Sequence, residues 1–319
     1  NTRLVGSEMC IRDRFINTEN KLIWKNGSFQ KWDDTNVHIL SHTLHYGTGV
    51  FEGVRAYDTL NGPAIFRLKE HTNRLFDAAK KINIEVPFEL DEIIHAQCET
   101  LNKNQLNAGY IRPIIFLGNE GLGLRAKELS VNVAIAAWEW PSYMDPEAKK
   151  KGISIAKSSY VQYENPLHSG NKIIGTYFQN TMALHEAIDK GADEALMMDA
   201  NGFISEGSGE NIFIVKDLKL MTPTKDHCLN GITRQSVIQI AKDLNYDVIE
   251  KNLTFDDLIS ADEAFFTGTA VEITPISKVD DIKIGHDGAG EITKVLQNKF
   301  DEVISGKDLN YQSWLTYTK

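Results

Sequence analysis

Apolar and polar residues begin to recur in ordered patterns near Leu22. Leu22-Ile23-Trp24 and Phe29-Gln30-Lys31-Trp32 flank Asn26-Gly27, the strongest short signal for a two-residue hairpin. Ala64-Ile65-Phe66 reads as a further strand. Leu68, His71, Leu75, Ala79 and Ile82 then follow at intervals of three and four, which predicts one face of a helix. A second helix is predicted over 90–106, and two strongly apolar strands over 110–117 and 131–138.

Pro141-Ser142-Tyr143-Met144-Asp145-Pro146 interrupts this pattern. Two prolines so close together favour extended chain, because each restricts the residue before it. Beyond it, Ile153-Ser154-Ile155-Ala156 predicts a strand and 177–190 a helix. A second Asn-Gly turn, Asn201-Gly202, joins strands at 195–199 and 203–205. A strand at 211–216 and a helix at 232–244 follow, the helix starting after Gly231. Thr254 with Asp257 three residues on is a helix-start signature, and Ala264-Phe265-Phe266 reads as a buried strand. The helix over 292–305 stops at Gly306, a suitable C-terminal cap. Strands and helices are mixed rather than strictly alternating, so the expected fold class is α+β in two domains. The expected division is a small N-terminal domain at 16–140, an interdomain loop at 141–150, a large domain at 151–306 and a tail at 307–319.

Composition narrows the picture. With 42 % hydrophobic and 24 % charged residues, the 319-residue chain has the mix of a globular enzyme. A net charge of -10 argues against nucleic-acid and anionic membrane surfaces. It leaves room for anionic substrates, since a few arginines can make a positive pocket locally. The three cysteines, Cys10, Cys98 and Cys228, form no C-x-x-C pair and no disulfide framework, which points to reduced thiols in the cytoplasm. No apolar run approaches the ~18–20 residues of a membrane span, and no signal peptide is visible. Residues 1–15 are set apart as non-native or disordered, because the stretch around Val5-Gly6-Ser7-Glu8-Met9-Cys10 reads like translated adapter sequence.

Chemistry concentrates in a few places. Lys172 lies in Ser169-Gly170-Asn171-Lys172-Ile173-Ile174-Gly175. Most lysines are solvated surface residues, but small and apolar flanks suggest a desolvated one, whose lowered pKa would free the amine as a nucleophile. Glu206 precedes the Gly-rich turn Gly207-Ser208-Gly209 and could face a bound heterocycle. Gly231-Ile232-Thr233-Arg234 opens a helix, whose unpaired N–H groups can hold a phosphate. Thr269, in Gly268-Thr269-Ala270, could add a hydroxyl. Arg74 falls among the apolar positions of its helix and could pair with a dianion. No Walker loop, no G-x-G-x-x-G and no G-x-S-x-G elbow occurs. His42 and His45 lack the further ligands of a metal site.

Five stretches, taken together and in order, resemble the branched-chain amino-acid aminotransferases of pyridoxal-phosphate (PLP) fold type IV. They are His42-Thr43-Leu44-His45-Tyr46-Gly47-Thr48-Gly49-Val50-Phe51-Glu52-Gly53-Val54-Arg55, Tyr110-Ile111-Arg112-Pro113, Ile204-Ser205-Glu206-Gly207-Ser208-Gly209-Glu210-Asn211, Gly231-Ile232-Thr233-Arg234, and Gly268-Thr269-Ala270-Val271-Glu272-Ile273-Thr274-Pro275. The resemblance covers 22–300. It implies that the large domain binds PLP, that Lys172 forms the Schiff base and moves the substrate proton, and that Glu206 pairs with the ring nitrogen. It implies further that Tyr177 bonds the ring's phenolic oxygen, and that Arg74, Leu229, Ile232, Thr233 and Thr269 complete the cofactor site. Tyr110, Thr269 and Ala270 would take the α-carboxylate, and Arg112 the side-chain carboxylate of glutamate. Phe51, Tyr46, Trp140, Tyr143, Leu122 and Leu124 would line an aliphatic pocket, some of them from the partner of a homodimer or dimer-based assembly. The implied reaction is reversible amino transfer between leucine, isoleucine or valine and 2-oxoglutarate. Two departures bear on it. Ile173-Ile174-Gly175-Thr176-Tyr177 replaces the family's usual Gly-Gly-Asn-Tyr run, and Trp138-Glu139-Trp140 departs from its usual interdomain loop. A D-amino-acid aminotransferase, an aminodeoxychorismate lyase of the same fold and a non-catalytic binding protein are the competing readings.

Overall fold

The computed structural model describes residues 18–140, 147–162, 170–285 and 288–318. Both hairpins form at their Asn-Gly pairs, the first as the pattern predicts and the second with only Gly202 at positive φ. Strands Leu22–Lys25 and Ser28–Lys31 pair antiparallel across Asn26 and Gly27, whose φ values of 49° and 90° are the left-handed pair that such a turn requires. Strands Glu194–Met198 and Ile204–Gly207 pair across the second turn.

The first sheet runs in the order Leu315–Tyr317, Gly62–Phe66, Val54–Thr59, Gly109–Leu117, Val131–Trp138, Leu22–Lys25, Ser28–Lys31, with Gly49–Phe51 also paired to Gly109–Leu117. Helices Leu68–Lys81 and Leu90–Lys103 cover one face. The period-two alternation explains the core between them: Val133, Ile135 and Ala137 point inward with Ile111, Ile115, Leu68, Leu75, Ile93 and Leu101. Tyr110 and Arg112 therefore share the opposite face. Residues 309–317 of the expected tail form a 3-10 helix and the strand that pairs with Gly62–Phe66.

The second sheet runs Ile204–Gly207, Glu194–Met198, Ile153–Val161, Glu272–Val279, Glu263–Gly268, Asn211–Lys216, Lys219–Thr222, Val248–Glu250. It is buried on both faces. Phe213, Val215 and Phe265 pack with helices Ile232–Asp243 and Glu291–Ile304, while Ile212, Ile214, Ala264 and Phe266 face another cluster with Leu258. Thr254 and Asp257 form the expected reciprocal cap on Phe255–Ile259. Gly306, at φ 73°, follows the end of Glu291–Ile304. The second helix on the first sheet ends at Lys103, earlier than expected. Gly49–Phe51, Val54–Thr59, Lys219–Thr222, Val248–Glu250 and Glu272–Val279 are strands that the hydrophobic pattern did not reveal.

Candidate active site

The two sheets meet at Lys172. Phe51 N–H donates to the Lys172 carbonyl (3.1 Å), Val50 bridges Ile173, and Gly175 N–H donates to the Gly47 carbonyl (3.0 Å). Gly47 is needed here twice over: its φ is +67°, and a Cβ on it would lie 2.5 Å from the Gly175 Cα. The Lys172 ammonium donates to the Tyr177 hydroxyl at 2.8 Å and lies 5.2 Å from the centre of the Phe51 ring. The expectation of a lowered lysine pKa is corrected. Burial does push the amine down, but the electrostatic pull of Tyr177 and Glu52 outweighs it, and the net direction is upward.

One end of the site holds an arginine paired with a buried carboxylate. Arg74 Nε donates to Glu52 Oε1 (2.6 Å), its Nη2 to Glu52 Oε2 (2.9 Å) and its Nη1 to the Asn230 carbonyl (3.1 Å). Asn230 stands just before Gly231, the N-cap of Ile232–Asp243. Arg74 and the buried Ile232 and Thr233 are thus brought to one helix N-terminus. The turn bearing Thr269 and Ala270 joins two strands of the second sheet, and Arg55 Nη1 holds it by donating to the Ala270 carbonyl (3.0 Å). Glu272, just after that turn and at φ 55°, is tied by Arg55 (3.4 Å), Tyr57 (3.1 Å) and Lys149.

The other end is acidic. Glu206 is buried and accepts from Leu229 N–H (3.0 Å), Asn211 Nδ2 (3.3 Å) and Gln162 Nε2. Burial pushes its carboxyl up to about 7, against the pull of the Leu229 bond and of Lys172 and Arg74. Leu229 thereby joins the site through its backbone. Behind this residue Glu194 and Glu210 are both buried, and desolvation raises both.

Above the lysine, Arg112 stacks 4.9 Å from the Phe51 ring centre and 5.3 Å from that of Tyr110, and its Nη2 donates to the Tyr110 hydroxyl (3.1 Å). Arg112 Nε is buried with no hydrogen-bond partner among the described residues. Trp140 packs edge-on to Tyr110 at 4.6 Å. A Cβ on Gly53 would lie 1.8 Å from the Tyr110 hydroxyl, so only glycine leaves room for it. Phe51, Tyr110, Arg112 and Trp140 therefore assemble as a wall around Lys172. Tyr46, Leu122 and Leu124 do not join it within one chain: they are 41 %, 51 % and 85 % exposed. They sit near each other, because the His42 ring lies 4.6 Å from that of Tyr46, tilted against it, and its Nε2 lies 3.3 Å from the Gly123 carbonyl. Tyr143 lies outside the described residues. No His, Cys and carboxylate group able to hold a metal occurs among the described residues, and none of their helices is long and apolar enough to cross a membrane.

Sequence reasoning missed Glu52, His71, Gln162, Gly53 and the Arg55–Glu272 contact. The signal for His71 was present, three residues before Arg74 on one helix face. Glu52 and Gly53 carried no separable signal beyond their place in a quoted motif.

A model of the family described as amino-transferase class IV matches residues 49–279. A branched-chain-amino-acid aminotransferase of Pseudomonas aeruginosa is 48 % identical over 299 residues, which is 93 % of this chain and 97 % of the relative. A solved branched-chain amino acid aminotransferase of Escherichia coli superposes with a TM-score of 0.91 at 40 % identity, covering 94 % of this chain and 100 % of that one. A second solved branched-chain amino acid aminotransferase, from T.th., complexed with N-(5'-phosphopyridoxyl)-L-glutamate, gives 0.90 at 42 % identity and covers 94 % of this chain and 99 % of that one.

Proposed function

The chain belongs to the class IV aminotransferases, and from that premise we propose that it transfers amino groups reversibly between leucine, isoleucine or valine and 2-oxoglutarate, with PLP as cofactor. The observation that carries the site reading is the half-buried Lys172–Tyr177 hydrogen bond, with the acid of Glu206 and the guanidinium of Arg74 both acting on the lysine. An amine, an acid and a cationic helix end match the aldehyde, the ring nitrogen and the phosphate of one molecule. Bound PLP supplies the electron sink that makes the substrate Cα acidic.

The chain's own residues do the rest. Lys172 would hold the cofactor, and its amine would move the proton at the substrate Cα. Tyr177, already bonded to the amine, holds the ring's phenolic oxygen. Glu206 would accept a hydrogen bond from the ring nitrogen, whose positive charge would favour the carboxylate form that burial alone disfavours. Arg74 and the N–H groups at Ile232 and Thr233, with Thr269, take the phosphate. Tyr110 and the backbone at Thr269 and Ala270 take the α-carboxylate. Phe51 and Trp140 make an apolar wall with Arg112 at its edge, so an aliphatic side chain rests on the rings and a glutamate side chain pairs with the guanidinium. The solved relative complexed with N-(5'-phosphopyridoxyl)-L-glutamate supports this second mode.

Tyr46, Leu122 and Leu124, exposed on a single chain, complete the aliphatic pocket of a second copy in a homodimer or dimer-based assembly. We assign the two sheets to the two domains expected on either side of residues 141–150, of which 141–146 lie outside the described residues, and the free thiols of Cys98 and Cys228 suit a cytoplasmic setting.

Reduction of the cofactor-loaded protein with borohydride, followed by peptide mapping, tests the centre of this reading. The label should sit on Lys172, and Lys172→Ala should abolish amino transfer from leucine. A label on another lysine would overturn it.

A further inference from the structure

Glu52 is a buried carboxylate whose two oxygens are saturated by four donors. Oε1 takes Arg74 Nε (2.6 Å). Oε2 takes Arg74 Nη2 (2.9 Å), His71 Nδ1 (2.9 Å) and the Gly53 N–H (3.2 Å). Its own N–H donates to the Pro113 carbonyl (2.9 Å), which fixes it to the first sheet. His71 is as buried as Glu52, and burial holds its imidazole on the neutral side despite the carboxylate. A neutral ring with its proton on Nδ1 gives Glu52 one more donor and no second charge.

The direction this imposes on Arg74 is the informative part. Of the guanidinium's five N–H groups, two are committed to Glu52 and one to the Asn230 carbonyl. Two N–H groups remain, at the end of the side chain that reaches the N-cap of Ile232–Asp243. A buried ion pair adds little stability over a well-packed apolar pair, so stability alone does not account for an arginine clamped in this way.

We propose that Glu52 and His71 are positioning residues for the phosphate of the cofactor: they clamp Arg74 so that its remaining N–H edge faces the N-terminus of helix Ile232–Asp243. This rests on the reading above that Arg74 takes the phosphate. Neither residue touches the phosphate. Each acts by removing the freedom of a long side chain before binding, which strengthens the contact without adding one.

The test compares affinities for PLP and for pyridoxal, which lacks the phosphate, by tryptophan-fluorescence titration of the full-length protein after cofactor removal. Glu52→Gln puts an amide N–H against a guanidinium or imidazole donor and frees Arg74 to swing. It should weaken PLP binding about 10- to 100-fold and leave pyridoxal binding within about twofold. His71→Leu should lower the PLP-to-pyridoxal ratio about 3- to 10-fold, and His71→Asn, which keeps a donor toward Oε2, should restore it. Arg74→Met separates the two readings. If Arg74→Met loses the preference for PLP but Glu52→Gln and His71→Leu keep it, the clamp is wrong and the phosphate site stands. If Arg74→Met keeps the preference, the phosphate reading itself fails. Should Glu52→Gln not fold, the two His71 variants decide alone, and equal ratios for His71→Leu and His71→Asn would overturn the clamp.

Discussion

Glu206 and Glu52 are both buried carboxylates, yet they end on opposite sides of the ordinary carboxylate range. Glu52 has a two-point guanidinium contact that overrides desolvation and holds it well below that range. Glu206 has only neutral hydrogen-bond donors in contact and feels Lys172 from a distance, so burial wins. A carboxyl raised from 4.5 to about 7 contributes stability that is fully present below pH 4.5 and is lost as the pH rises through about 7. In protein stripped of cofactor, wild type should therefore lose up to about 3 kcal/mol relative to Glu206→Gln between pH 4.5 and 8. Urea unfolding of both at several pH values measures the difference, and parallel curves would refute it. The same variant loaded with cofactor should turn over about 100-fold more slowly. At the substrate end, Arg112→Leu should lower kcat/KM for glutamate about 10–200-fold. Because Arg112 also donates to the Tyr110 hydroxyl, leucine should lose a few-fold rather than nothing. Gly53→Ala displaces that hydroxyl directly and should penalise both substrates alike. Single-turnover absorbance changes with leucine and glutamate check both variants, and equal losses in Arg112→Leu would remove the two-carboxylate picture. Tyr110 and Arg112 were legible in the sequence because a strand puts alternate residues on one face. Glu52, Gly53 and His71 were not, because their meaning lies in partners from distant segments.

Among elements, those set by local chemistry were the readable ones. The two Asn-Gly turns, the Thr254 cap and the helices with long apolar periods need only their own residues to be specified. Gly49–Phe51 and Val54–Thr59 are short, and Gly53 lies between them. Their pairing with Gly109–Leu117 determines them, not an intrinsic preference. Glu272–Val279 was hidden in another way: all but Ser277 and Lys278 along it are buried, so no alternation shows. The docking of Gly49–Phe51 on the lysine segment gives an element-scale prediction. Gly47→Ala forces a side chain into left-handed backbone, at a cost of about 1–2 kcal/mol, and collides with Gly175 as well. The urea midpoint should fall, and the borohydride-reducible cofactor content of the purified protein should fall with it. A variant that is destabilised yet fully loaded would show that this contact supports the fold without setting the lysine.

Seen whole, the described residues form two sheets joined at several places, among them the Lys172 segment, the Arg74–Asn230 bond, the cluster around Arg55, Tyr57 and Glu272, and the Arg67–Ser236 bond beside Phe66. Ile39, Leu44, Tyr46, Leu122 and Leu124 are exposed. Sedimentation at micromolar concentration should give a dimer or larger, and Leu44→Asp with Leu124→Asp should shift it toward monomer and raise KM for leucine. A wild-type monomer with full activity would dismiss the second copy from the pocket. The strand Leu315–Tyr317 lies beside Gly62–Phe66, which precedes it in the chain by the whole second sheet. During synthesis, then, the N-terminal sheet waits with an open edge while the ribosome makes the whole second sheet. The Phe66 ring, which ends up against Phe300 and Trp314, stays uncovered until they emerge. A stalled or prematurely terminated nascent chain would leave behind a nearly finished domain with a raw strand edge, the form that chaperones hold and that otherwise pairs with its neighbours on the polysome.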